Sequence, residues 1–98
     1  MSQSEIGKMP KVAIDVVVSN CEGLHARPVM KFVDVANQFC ANIIVYKEDE
    51  AVDGKSVMHM MTLGAGQGTL LKIEADGDDA PAALESLKKL FEDKFGEE

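Results

Sequence analysis

The sequence predicts a two-layer α/β protein with the element order βαββαβα. Two observations support this prediction: four short segments have the apolar pattern of β-strands, and three others have apolar residues at helical spacing. Such elements fit one sheet that is covered by helices on one side only. The chain has 98 residues, of which 46% are hydrophobic, so it can bury one modest core. We therefore expect residues 1–10 to be a flexible tail and residues 11–98 to form a single domain.

Alternation of apolar and polar residues predicts the strands. In the first strand every second residue is a valine or an isoleucine, so one face is consistently apolar. The second strand is rich in β-branched residues, and the last alternates apolar residues with charged ones. The predicted strands cover residues 11–19, 42–47, 51–53 and 69–76.

The first helix is predicted from about Ala26 to about Cys40. Val29, Val33 and Cys40 recur on one of its faces at helical spacing. Pro28 indicates where the helix begins, because proline is tolerated in the first turn and breaks a helix farther in. The thiol of Cys40 is therefore expected on the apolar face of this helix.

The other two helices have recognisable end signals. Ser56 is a favourable N-cap for a short second helix of about two turns, which Gly64 would close. Asp78 or Asp79 can cap the third helix, and Gly96 would end it. The glycines after the second helix do not form a nucleotide loop, because they follow a helix and lack the dinucleotide-binding spacing.

The hexapeptide Gly-Leu-His-Ala-Arg-Pro, at residues 23–28, joins the first strand to the first helix. It places His25 at the N-cap, and the backbone N–H groups of Ala26 and Arg27 have no acceptor within the helix. These amides and the positive end of the helix favour a bound anion. Arg27 adds a planar charge that suits phosphate oxygens, and a neutral imidazole nitrogen of His25 can act as a nucleophile. The segment therefore predicts a phosphoryl site.

A histidine at a helix start is more often a surface residue or a weak cap, so the wider context decides. A second motif follows, with Gly-Lys-Ser-Val-Met at residues 54–58 and Thr-Leu-Gly at residues 62–64. Together the two motifs closely resemble the HPr family, the phosphocarriers of the bacterial phosphoenolpyruvate:sugar phosphotransferase system. The resemblance runs from about Lys11 to Phe95, and it covers nearly the whole chain.

This resemblance implies both a fold and a function. The fold would be an open-faced β-sandwich, with a four-stranded antiparallel sheet and three helices on one face. Phospho-enzyme I would donate a phosphoryl group to Nδ1 of His25, which would pass it to the IIA domain of a sugar permease. Arg27 and the backbone of Ala26 and Arg27 would stabilise the phosphoryl charge. The protein would need no cofactor and would be a phosphohistidine carrier, a component of a phosphotransferase more than an independent enzyme.

The second motif adds two candidate residues. Ser56 matches the serine that a dedicated HPr kinase/phosphorylase phosphorylates in some HPr proteins, and a transcriptional regulator could then bind; capping alone also explains this serine. Most apolar residues of the second helix are expected in the core, with Met58 exposed for partner docking. Two departures from common family sequences are Glu22, which adds negative charge beside the phosphoryl site, and His59, which is expected to be merely exposed.

Composition narrows the partners and the compartment. A net charge of −7 argues against nucleic acid, and the 10 Lys and Arg residues are too scattered for a membrane-binding stripe. No apolar run approaches the ~20 residues of a membrane span, and residues 1–10 lack the pattern of a secretion signal, so we expect a cytoplasmic protein. Cys21 and Cys40 are expected to be reduced thiols, and no metal site is predicted. A small carrier that meets successive partners is expected to be a monomer.

Three alternatives remain open at this point. The chain could serve a nitrogen-related or purely regulatory phosphotransfer system that has no sugar permease. It could instead be a regulatory module that acts through protein binding, with phospho-Ser56 as the signal and His25 secondary. An inert interaction domain with an accidental motif is the third alternative, and the agreement of two separate motifs with the element order argues against it.

Overall fold

The computed structural model describes residues 11–97. The tail predicted at residues 1–10 lies outside the described residues, as does residue 98. The predicted order βαββαβα is confirmed. The elements are β1 Lys11–Val17, α1 Ala26–Ala36, β2 Asn42–Lys47, β3 Glu50–Asp53, α2 Val57–Met61, β4 Leu70–Asp76 and α3 Ala80–Glu92, followed by a 3-10 turn at Lys94–Gly96.

The sheet has four strands in the order β1-β4-β2-β3, and every neighbouring pair is antiparallel. Its register follows the pleat: Ile73 of β4 lies opposite Ile14 on one side and Val45 on the other. Leu71, Ile73 and Ala75 are buried, whereas the residues between them are exposed or half-buried. Since alternate residues of a strand point to opposite faces, one face of the sheet belongs to the core. The four-stranded antiparallel sheet implied by the family resemblance is confirmed.

The helices cover this apolar face. Phe32 of α1 and Phe91 of α3 meet edge to face, with ring centroids 6.1 Å apart, above the inward residues of the sheet. Small residues of α3, including Ala80 and Ala83, are fully buried and allow close packing. Within residues 11–97, no helix is both long and apolar enough to cross a membrane.

Helix α1 ends earlier than the sequence indicated. It stops at Ala36 instead of near Cys40, and Asn37 is its C-cap. The side-chain amide of Asn37 donates to the carbonyl oxygen of Val33 at 3.0 Å. Such a local side-chain bond competes with continuation of the helix. The expected place of Cys40 on the buried face was therefore wrong, because its side chain is exposed in the turn after the helix.

Asp79 joins this turn to the start of α3. It is the N-cap of α3, as one of the two predicted candidates, but its side chain makes no cap hydrogen bond. The carboxylate instead accepts hydrogen bonds from the backbone N–H groups of Cys40 and Ala41, both at 2.8 Å. The bond from Cys40, and then that from Ala41, hold the pKa of Asp79 below its usual value against the opposing effect of burial.

Candidate functional site

The start of α1 matches the sequence prediction. Helix α1 begins at Ala26, and His25 is its N-cap with an extended backbone and no side-chain cap bond. The backbone N–H groups of Ala26 and Arg27 are too close to the helix start for an intrahelical acceptor. Neither donates to a backbone or side-chain acceptor elsewhere in residues 11–97. The predicted anion-binding amides therefore lie beside the half-exposed imidazole of His25.

The loop before His25 is held by backbone contact with the loop that follows α2. The N–H of buried Leu24 donates to the carbonyl oxygen of Ala65 at 2.8 Å. Gly23 has a φ of 72°, and a Cβ at this position would lie 2.6 Å from the same carbonyl oxygen. Only glycine fits this approach without displacing the backbone. The first motif thus depends on the loop after α2 for its position.

A carboxylate that the sequence did not point to contacts the imidazole of His25. Glu97 lies 72 residues further along the chain, and its Oε2 and Oε1 are 3.1 and 3.3 Å from Nε2 of His25. The Glu97 side chain is 16% exposed. Its Oε1 also accepts a hydrogen bond from Nδ2 of Asn20 at 3.1 Å, and Nδ2 of this fully buried asparagine donates to the carbonyl oxygen of Gly23 at 2.7 Å as well. Asn20 therefore ties Glu97 to the loop that carries His25.

The pKa of Glu97 is lowered. Burial raises it, but the hydrogen bonds from His25 and Asn20 and the positive charge of Arg27 outweigh that effect. An ionised carboxylate can only accept hydrogen bonds, so Nε2 of the His25 imidazole is the donor. In the neutral ring Nδ1 then carries the free lone pair.

The remaining residues around His25 form an open pocket. Arg27 is exposed there and forms no salt bridge within residues 11–97. Glu22 places Oε1 3.6 Å from Nε2 of His25, but its side chain is 79% exposed. Cys21, an exposed free thiol, also lines the pocket. The pocket thus has a free cation for an incoming anion and two carboxylates of very different burial.

The second predicted motif lies on α2. The hydroxyl oxygen of Ser56 accepts a hydrogen bond from the backbone N–H of His59 at 3.2 Å, so Ser56 is the predicted N-cap. Met60 is fully buried, whereas Met58 is 80% exposed and Met30 of α1 is 55% exposed. Met58 is exposed as expected, but the expectation that most apolar residues of α2 lie in the core was wrong, because Val57 and Met61 are exposed as well.

The described part of the chain contains no group of side chains that could hold a metal ion. No three Cys, His, Asp or Glu side chains between residues 11 and 97 lie close enough together to hold a metal ion. Cys21 and Cys40 are both free and exposed.

The comparison with known proteins identifies the family. A family model described as the PTS HPr component phosphorylation site matches residues 12–93. The chain belongs to the HPr family. It is a member of the phosphocarrier family of the phosphotransferase system, and the resemblance drawn from the two motifs is confirmed.

The similarity to known HPr proteins covers most of the chain. The phosphocarrier protein HPr of Neisseria meningitidis is 42% identical over 89 residues, which cover 91% of this chain and 98% of that protein. The crystal structure of HPr from Thermoanaerobacter tengcongensis matches with a TM-score of 0.83 and 44% identity, and the match covers 92% of this chain and 99% of that one. The Bacillus subtilis catabolite repression protein Crh, described as a swapped dimer, matches with a TM-score of 0.69 and 36% identity over 74% of this chain and 84% of that one.

Within this HPr fold the structure brings His25, Arg27 and the amides of residues 26 and 27 together, as predicted. Ser56 and Met58 lie on a different helix, α2. Asn20 and Glu97 were missed as members of the site. Asn20 gave only a weak signal, a polar residue directly after an apolar strand, and no local pattern distinguishes Glu97 from other acidic residues near the end of α3.

Proposed function

We propose that this protein accepts a phosphoryl group on Nδ1 of His25 from phospho-enzyme I and passes it to the IIA domain of a sugar permease. The supporting observation is that the free amides of Ala26 and Arg27 and the unpaired guanidinium of Arg27 lie beside the His25 ring in one open pocket. The protein acts as a monomeric carrier without a cofactor. It works in the cytoplasm, where phosphoenolpyruvate is the original phosphoryl source.

Phosphoryl transfer requires few chemical groups of the protein. The lone pair of Nδ1 attacks the phosphorus atom, and the bond from phosphorus to the donor atom breaks with its electron pair remaining on the donor. In the second transfer the bond from Nδ1 to phosphorus breaks in the same way, as the acceptor atom attacks. Catalysis then rests on orientation and charge stabilisation, which the guanidinium of Arg27 and the two amides supply to the phosphoryl oxygens.

Partner docking is assigned to the exposed apolar side chains of α1 and α2, with Met58 as the central residue. Met58 is 80% exposed, and Met30 and Met61 are also exposed. Methionine is flexible and polarizable, so one surface can pack against several partners in turn. Moderate affinity suits a carrier that must leave its donor before it meets an acceptor.

The test is phosphoryl transfer from phosphoenolpyruvate through enzyme I, with the native chain compared with His25→Ala. We expect one acid-labile, base-stable phosphoryl group on the native chain and none on the variant, measured by mass spectrometry. The variant should stay folded, because the His25 side chain is half-exposed, makes no cap hydrogen bond and contacts Glu97 at the surface of the domain. An unlabelled native chain, beside another carrier that the same enzyme I does label, would contradict the proposal.

A second candidate function is regulation through Ser56. The Ser56 side chain is half-buried at the start of α2, and the matched relative Crh carries catabolite repression in its name. Phosphorylation there would add negative charge next to the exposed docking residues of α2. If this function is the main one, Ser56→Ala will abolish binding to a regulator after kinase treatment, whereas His25→Ala will not.

A further inference from the structure

We propose that Glu97 is a positioning residue for phosphoryl transfer: its carboxylate accepts the Nε2–H of His25, which keeps Nδ1 free as the nucleophile and retains the ring proton while the phosphoryl group is bound. This inference rests on the proposed function, and it adds a residue that neither sequence motif contains.

The geometry gives the carboxylate two separate tasks. Oε2 of Glu97 faces Nε2 of His25 at 3.1 Å, while Oε1 accepts the amide of Asn20 at the same distance. Since Nδ2 of Asn20 donates to two oxygens, its amide orientation is defined by its partners. The hydrogen bond from Asn20 therefore fixes the carboxylate of Glu97, and this carboxylate in turn orients the ring of His25.

The chain after α3 is built to place Glu97 there. Lys94 and Phe95 have positive φ angles of 54° and 55°, which non-glycine residues adopt only when their surroundings enforce it. Phe95 is buried with its ring centroid 4.8 Å from that of Phe91, and its carbonyl oxygen accepts a hydrogen bond from Nζ of Lys31 at 2.6 Å. The backbone N–H of Glu97 donates to the carbonyl oxygen of Lys94 at 2.8 Å, so this turn fixes the position of residue 97.

The hydrogen bond between His25 and Glu97 matters both when His25 accepts the phosphoryl group and when it passes the group on. With the proton on Nε2, Nδ1 attacks phosphorus, and the ring becomes a cation that the ionised Glu97 stabilises. When the phosphoryl group leaves, the ring departs as neutral imidazole because Nε2 still holds its proton. Without that proton the leaving group would be an imidazolate anion, which is far poorer. An acidic partner that orients a histidine tautomer is a recurrent device in catalytic sites.

Glu97→Gln offers a sharp test because a glutamine side chain has one oxygen. If that oxygen accepts from Asn20, the NH₂ group faces Nε2 of His25 and can only donate. The neutral ring is then expected to move its proton to Nδ1, which removes the nucleophilic lone pair. Glu22→Gln is the matched control, since it removes the same charge from a carboxylate that is 3.6 Å from Nε2 and exposed.

The experiment is ¹⁵N NMR of the His25 imidazole in the full chain, together with the rate of phosphorylation by phospho-enzyme I. We expect Nε2–H in the native chain and in Glu22→Gln, and Nδ1–H in Glu97→Gln. The transfer rate constant, kcat/KM, should fall by about tenfold in Glu97→Gln and change much less in Glu22→Gln. Thermal denaturation of each variant establishes that it is folded, and Glu97→Ala replaces Glu97→Gln in the rate measurement if the latter is not.

The proposal is overturned if Glu97→Gln keeps the proton on Nε2 and transfers phosphate at the native rate, or if the native ring carries its proton on Nδ1. Equal losses of rate in Glu97→Gln and Glu22→Gln would also overturn it, since they would show a general effect of charge. A native chain that takes no phosphoryl group would contradict the proposed function instead, and the NMR result would still decide the tautomer.

Discussion

At the start of α2 the hydroxyl oxygen of Ser56 accepts a hydrogen bond from a helical amide, whereas at the start of α1 the side chain of His25 makes no such bond. Both residues are N-caps with extended backbones. At α2 the cap serves the helix. At α1 the amides of Ala26 and Arg27 have no acceptor within residues 11–97, and the cap side chain is held by a carboxylate from beyond α3. Under the proposed function, the missing cap bond marks the helix start that serves chemistry.

The largest difference between the two helix starts is expected from substitution of Arg27, the free cation at the start of α1. Arg27→Ala should lower kcat/KM for phosphorylation of His25 by about 100-fold, because one donor to the developing phosphoryl charge is lost. Arg27→Lys keeps the charge without the planar fork and should lose less. Enzyme I-dependent labelling at limiting carrier concentration measures both. If the alanine variant is labelled at the native rate, the amides alone stabilise the phosphoryl group.

Ser56 should show the opposite profile. Ser56→Ala removes the hydrogen bond to the amide of His59 and should lower the free energy of unfolding by about 1 kcal/mol, whereas glycine at the same position should cost only a few tenths. Urea denaturation measures both changes. Phosphorylation of His25 should proceed at the native rate in both variants. A slower transfer in Ser56→Ala would mean that the two helix starts are coupled.

The start of α3 gives a smaller effect that depends on pH. The pKa of Asp79 is lowered in the folded chain, so its contribution to stability is complete well above the ordinary value of 3.8 and is lost as the pH falls through the lowered value. Asp79→Asn should therefore be less stable than the native chain at neutral pH, and the gap should close in acid.

Urea midpoints measured from pH 7 down to pH 2 test this expectation. The neighbouring Asp78 is exposed, so Asp78→Asn is the matched control and should follow the native chain throughout. A gap between Asp79→Asn and the native chain that stays constant with pH would show that the loss comes from packing and not from the carboxylate charge.

Local signals in the sequence were sufficient for most elements and for half of the site. The alternation in β4, the proline in the first turn of α1 and the serine before α2 each act over a few residues, and the structure has these elements where the patterns put them. His25 and Arg27 belong to the same short segment, so their proximity needed no tertiary information.

The errors and omissions share a physical origin in contacts between distant parts of the chain. The exposure of Cys40 follows from the carboxylate of Asp79, which binds the turn after α1 from the start of another helix. The hydrogen bond from His25 to Glu97 joins residues 72 positions apart. Periodicity and capping rules describe neighbours along the chain, so they carry no information about such pairs.

The strand order has a consequence for the timing of assembly. Within residues 11–97, strand β1 is at the edge of the sheet and pairs only with β4, where Lys11 lies opposite Asp76. Such distant pairing closes a long loop and is slow compared with the formation of helices and hairpins. On the ribosome β1 must wait for β4 to be synthesised, and His25 gains its hydrogen bond only after residue 97 has emerged. The surroundings of His25 are therefore completed later in synthesis than the helix that it caps.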